Sequence, residues 1–208
     1  MKEAMPYLDS DSQNSYGSPT ESTKSAVATV RAEEGEVVIL LSNNKRRYPK
    51  NWNLSLPTEP YRAIVEYSDA GFNNDLNRYY IYIAWLEPIE TGNVLSSVKI
   101  ESPDEADPIG IVNDEFTSVE GGFLTIHYKI NTSGTIPHSF SIIPGSDENP
   151  YEIVLMHDAH GDTNVYSEEG LVAFPLNWLP SAGEKVKLKV TYRDLDNKLS
   201  TLQFEYGT

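Results

Sequence analysis

The sequence predicts an all-β protein, an N-terminal OB-like β-barrel followed by an antiparallel β-sandwich. Three observations carry that prediction. Apolar residues alternate with polar ones at a period of two, as in Leu124, Ile126, Tyr128 and Ile130 against Thr125, His127 and Lys129. The apolar segments are short and are punctuated by Gly, Pro, Asn and Asp. No window keeps a helical period long enough to specify a substantial helix.

Residues 1–25 are rich in Ser, Asp, Asn, Pro and Thr, and read as a flexible N-terminal tether. Strand patterns then follow over Ala26–Arg31, Glu36–Ser42, Tyr61–Tyr67, Arg78–Glu87 and Leu95–Glu101. Five strands suit a small closed barrel of the OB type, which assigns residues 26–104 to that domain. Ser102-Pro103-Asp104-Glu105-Ala106-Asp107-Pro108 interrupts any ladder with two prolines and three acids, and marks the predicted boundary. Residues 105–208 form the predicted sandwich, with strands over Leu124–Ile130, His138–Ile143, Tyr151–His157, Leu171–Phe174, Val186–Tyr192 and Leu199–Tyr206. Asp194-Leu195-Asp196-Asn197-Lys198 is the turn joining the last two, because Asp and Asn satisfy their own backbone amides.

Hydrophobic residues make up 39% of the chain and aromatics 11%, enough to bury a core without metals or cross-links. There are no cysteines, which removes disulfides, thiolate metal sites and a cysteine nucleophile. The formal charge is -15, and it is uneven: 9 basic and 13 acidic residues precede Val98, whereas 7 and 18 follow, leaving -4 and -11. Such a field repels phosphate backbones, so no nucleic-acid partner is expected. No apolar run reaches the roughly 20 residues that span a bilayer as a helix.

The densest polar cluster is His157-Asp158-Ala159-His160-Gly161-Asp162-Thr163-Asn164, directly after a strand. Imidazole nitrogens suit zinc or iron, and the oxygens of Asp158, Asp162 and Asn164 suit calcium. His157, Asp158, His160, Asp162 and Asn164 are therefore the candidate ligands if a metal site exists. The spacing matches neither HExxH nor an EF-hand, and these are also the residues of a strand-to-strand turn. The expectation is a metal-free turn with no cofactor, in which Asp158 or Asp162 accepts hydrogen bonds from loop amides. The alternation over Tyr151–His157 places His157 on the covered face with Ile153 and Leu155.

His127 and His138 read as solvated surface histidines. The basic run Lys45-Arg46-Arg47-Tyr48-Pro49-Lys50-Asn51-Trp52 reads as a solvated loop whose aromatics cap the barrel. Trp52, Trp85 and Trp178 could stack on sugars, but core packing is the expected use of all three. The GxSxG elbow, the phosphate loop and GxGxxG are absent, so no catalytic residues are assigned.

The second half resembles the NigD-like lipoproteins. The resemblance rests on Gly122-Phe123-Leu124-Thr125-Ile126-His127-Tyr128, Pro137-His138-Ser139-Phe140, Leu155-Met156-His157-Asp158-Ala159-His160-Gly161-Asp162 and Gly170-Leu171-Val172-Ala173-Phe174-Pro175-Leu176. Tyr61–Tyr67 and Trp85–Thr91 look like the family's first domain. The resemblance implies a barrel followed by a sandwich, and attachment to the outer membrane through a lipidated Cys that this chain does not carry. It implies no activity. The expected function is thus a non-enzymatic cell-envelope module, monomeric, binding a protein or glycan partner. The alternative is a metal-dependent hydrolase or a calcium-binding glycan module that uses the 157–164 loop.

Overall fold

The computed structural model describes residues 22–95, 103–162 and 165–207. Most of the tether and the strand expected over Leu95–Glu101 lie outside the described residues. The chain divides into two compact units, Met1–Ile89 and Glu90–Thr208.

The first unit is a closed five-stranded barrel in the order β1-β2-β3-β5-β4, the strand number of an OB-type barrel. Its strands are β1 (Lys24–Glu33), β2 (Glu36–Leu41), β3 (Lys45–Pro49), β4 (Tyr61–Asn73) and β5 (Arg78–Pro88). Alternation explains the core: Ala28, Val30, Val37, Ile39, Ala63, Val65, Ile81 and Ile83 point inward and are buried together. Irregularities between Glu66 and Tyr67 and between Asp69 and Phe72 bend the long β4–β5 hairpin.

The expected solvated loop at Lys45–Trp52 is corrected here, because its first five residues are a barrel strand. β3 pairs antiparallel with β2, Ile39 opposite Arg47, and parallel with β5, Tyr48 opposite Tyr80, which closes the barrel. A run of cations hid that strand. Within the run Arg47 lies 4.9 Å from the Tyr79 centroid, and Tyr48 of the same strand lies under Arg78 of β5 at 4.4 Å.

The second unit holds two sheets. One contains β6 (Glu90–Thr91), β13 (Tyr166–Pro175), β10 (Phe123–Thr132) and β8 (Gly110–Ile111), with β9 (Ser118–Glu120) also on β10. The other runs β15 (Leu199–Tyr206), β14 (Val186–Arg193), β12 (Glu152–Asp158), β11 (Ser139–Ile143) and β7 (Asn93–Val94). Leu124, Ile126, Val172 and Phe174 of the first sheet and Ile142, Ile153, Leu155, Leu188 and Val190 of the second form one buried core.

Two features differ from the sequence reading. The units divide at Ile89/Glu90 rather than at 104/105, because β6 and β7 add to the edges of β13 and β11. The sandwich is also not antiparallel throughout: β12 pairs parallel with β14, Ile153 opposite Val190, and β6 and β7 join in parallel. Gly92 lies where the chain passes from one sheet to the other. A Cβ there would come 2.1 Å from Cε1 of Phe174. The turn at Asp194–Lys198 forms as its residues predict, with Asp194 Oδ1 accepting from the amides of Asp196 and Lys198, both at 3.0 Å.

Candidate functional site

Strand β12 delivers His157 to the sandwich interior by simple alternation: Ile153 is 1% exposed, Leu155 0% and His157 3%. Phe140, opposite His157 in the β11–β12 ladder, stacks on its ring at 5.2 Å between centroids. The chain then turns back through His160 and Gly161, both in the left-handed region with φ 52° and 74°. That turn splits the sequence cluster in two.

Asp158 and His160 go outward. Asp158 Oδ1 accepts from the amide of His160 at 2.7 Å, and its Oδ2 lies 3.2 Å from His160 Nδ1. Asp162 goes inward, its side chain 1% exposed. Its Oδ2 accepts from the Thr132 hydroxyl at 2.8 Å and the Ser133 amide at 2.8 Å, and its Oδ1 accepts from the Ser133 hydroxyl. Asp162 therefore ties the loop to the end of β10, whereas Asp158 caps its own loop. Asn164 lies outside the described residues. Among the described residues, no group of three or more His, Asp or Glu side chains is placed to hold a metal ion.

The residue that sequence reasoning misplaced is His138, expected on the surface. Its side chain is only 3% exposed, with Nε2 at 3.1 Å from Asp162 Oδ2 and Nδ1 at 2.9 Å from His157 Nε2. It stands immediately before β11, so the β11–β12 pairing carries it next to His157, a proximity no local pattern reveals. The one sequence signal was the family resemblance, which includes both Pro137-His138-Ser139-Phe140 and Leu155-Met156-His157-Asp158. His127 is corrected likewise. The segment after β8 folds over the outer face of β10, leaving the His127 side chain 18% exposed with Nδ1 at 2.7 Å from Asp114 Oδ2. Burial works to raise the Asp114 carboxyl, but His127 and the amides of Phe116 and Thr117 outweigh it and hold it below its ordinary range.

Hydrogen-bond inventory fixes the protons of the inner cluster. His157 Nδ1 lies 3.0 Å from the Pro108 carbonyl, which only accepts, so that nitrogen carries hydrogen. The Ser133 hydroxyl, the Ser133 amide, Thr132 and His138 together hold the Asp162 carboxyl far below the usual carboxylate range, against the pull of burial. An ionised carboxylate also only accepts, so His138 Nε2 carries hydrogen. The contact between the rings needs one hydrogen more. Two imidazoles thus share three protons and one positive charge, opposed by Asp162. Burial first, and the neighbouring His138 second, push the His157 pKa down.

Beside this cluster lies a cleft of ≈ 220 Å³ lined by Asp107, Pro108, Asn131, His157, Asp162 and Asn197 among others. Asp107 Oδ2 accepts from the amide of Ala159 at 2.7 Å. Both nitrogens of His157 and both oxygens of Asp162 are engaged in bonds within the protein.

The tryptophans divide. Trp178 donates Nε1 to the Pro175 carbonyl at 2.8 Å and packs on the sandwich core, Trp52 packs on the barrel core, and Trp85 is 41% exposed.

A profile of the NigD-like C-terminal beta sandwich domain matches residues 95–206. Among solved structures, a Parabacteroides distasonis protein assigned as toxin-related superposes with a TM-score of 0.76 at 24% identity, covering 89% of this chain and 94% of that one. A NigD-like immunity protein from Bacteroides caccae gives 0.62 at 20% identity, covering 92% and 99%. A Bacteroides fragilis protein assigned as a lipoprotein gives 0.60 at 11%, covering 90% and 99%. At these identities the likeness is one of fold. None of the curated proteins matches the chain.

Proposed function

The chain belongs to the NigD-like family, and from that premise we propose that it is a non-enzymatic module of the cell envelope that binds a protein or glycan partner. The observation that carries this reading is the closure of the His138–His157–Asp162 cluster on itself. A hydrolytic site keeps an open coordination position or a base within reach of substrate. Here the polar atoms are spent on holding β10, β11 and β12 together. The hydrolase reading gains no support from this geometry, since Asp158 and His160 point away from Asp162.

Envelope placement is supported by the fold shared with a lipoprotein-assigned protein and with one named an immunity protein. The test is fractionation of cells carrying the full-length gene, with metabolic palmitate labelling. The expected result is a lipid-labelled protein in the membrane fraction, acylated on a Cys upstream of this chain. An unlabelled protein in the soluble cytoplasmic fraction would overturn the placement.

A further inference from the structure

β3 and β5 lie side by side in the barrel, Tyr48 opposite Tyr80. Ile81 and Ile83 point into the core, so Arg78, Tyr80 and Tyr82 take the outer face, beside Arg46 and Tyr48 of β3 and Lys50 just beyond it. Cations and rings interleave there: Arg78 lies over Tyr48 at 4.4 Å, and Lys50 lies 5.4 Å from the Tyr80 centroid and 6.0 Å from that of Tyr82. At the rim of the barrel Arg47 lies over Tyr79 at 4.9 Å. Tyr79, Tyr82 and Trp85 are 53%, 47% and 41% exposed. Asn51 holds the end of this surface rigid by bonding both backbone groups of Ile83, at 2.8 and 2.9 Å.

The charge is anomalous for this chain. Residues 37–58 and 76–86 contain five Lys and Arg and no Asp or Glu, in a protein of net charge -15. Arg78 pairs with Glu36 at 2.6 Å and Arg46 with Glu33 at 3.6 Å. Arg47 Nε is buried without an acceptor among the described residues.

Resting on the reading of the chain as a binding module, we propose that this face of β3 and β5 docks an acidic protein segment. A surface rich in Tyr, Trp and Arg, on strand segments that themselves carry no Asp or Glu, has the composition of interface hot spots. A closed barrel offers no strand edge, so recognition falls to side chains. A guanidinium stacked on a ring still presents its N–H fork edge-on, which is the geometry that takes a carboxylate. The same stacking covers one face each of Tyr48 and Tyr79 against a sugar or a nucleobase, and the overall negative field opposes a polyphosphate strand.

The probe is a fluorescein-labelled copolymer of glutamate and tyrosine, compared with labelled polymannuronate and oligothymidylate, with binding to the full chain read by anisotropy. The copolymer should bind best. Its affinity should fall about tenfold in Lys50→Glu and severalfold in Tyr82→Ala, and should weaken as NaCl rises from about 0.05 to about 0.3 M. Lys50→Arg should bind as the parent does. Absence of copolymer binding, equal binding by Lys50→Glu and Tyr82→Ala, or tighter binding of either other polymer would overturn the proposal. A membrane-fraction result alongside any of these would leave the envelope reading standing and remove only this surface.

Discussion

The two units use their polar side chains in opposite ways. The barrel sets Arg46, Lys50 and Arg78 among tyrosines on its outer face, where the fold gains little from them. The sandwich turns His138, His157 and Asp162 inward and joins three strands with them. Residue type alone would reverse the assignment, because a His-Asp cluster reads as a site and a Lys-Arg run as a solvated loop. What separates the cases is whether neighbouring groups saturate the side chain. Asp162 accepts from Ser133, Thr132 and His138, whereas Arg47 Nε finds no acceptor among the described residues.

The sharpest way to break that contrast is to remove the carboxylate at its centre. Asp162→Ala leaves the charge shared by His138 and His157 buried without its counter-ion and strands the donors of Thr132 and Ser133, so it should lower the melting temperature by roughly 5–10 °C. Asp158→Ala removes one exposed cap and should cost less than about 3 °C. Calorimetry of the two variants decides: equal shifts would mean that the inner cluster is no more structural than the outer loop.

A pH series sharpens the comparison next, because the inner cluster holds a histidine, His157, whose pKa burial lowers. The pKa of folded His157 is pushed below its ordinary 6.5 by burial and by the neighbouring His138. As the pH falls through about 6.5, the unfolded chain takes up a proton there that the folded chain resists. Unfolding then binds protons, and stability must fall. The depressed Asp162 carboxyl adds a loss of the same sign at still lower pH, once unfolded carboxylates protonate near 3.8. The urea midpoint of the parent should therefore drop from pH 7 to pH 5. His157→Gln, less stable at pH 7, should show a smaller drop, and an equal one would remove His157 as the cause.

Much of this was legible in the residues. Alternation located β10, β12 and β14 and predicted that His157 is covered, because a period of two assigns faces without knowledge of partners. Asp194–Lys198 was legible because its hydrogen bonds are local. Pairing was not. The parallel β12–β14 ladder and the addition of β6 and β7 depend on which strands meet in space, and two-residue strands carry no periodic signal. His138 was misread for the same reason, being 19 residues from the ring it touches. β3 was missed because charge masked a strand whose aromatic partners lie on β5.

The smallest expected effect is the one that most directly tests the barrel side of the comparison. If the β3–β5 face serves recognition rather than folding, truncating it must leave stability almost untouched. Tyr82 is 47% exposed, and the Lys50 ammonium lies beside the rings of Tyr80 and Tyr82. Exposed cation–π contacts are weak in water because the ammonium gives up hydration to make them. Tyr82→Ala and Lys50→Glu should therefore each move the melting temperature by less than about 2 °C. Ile81→Ala, one residue away on the same strand but fully buried, should cost about 2–5 kcal/mol through the cavity it leaves. A loss in Tyr82→Ala that approached that of Ile81→Ala would make the outer face part of the fold's support, and the asymmetry between the two units would disappear.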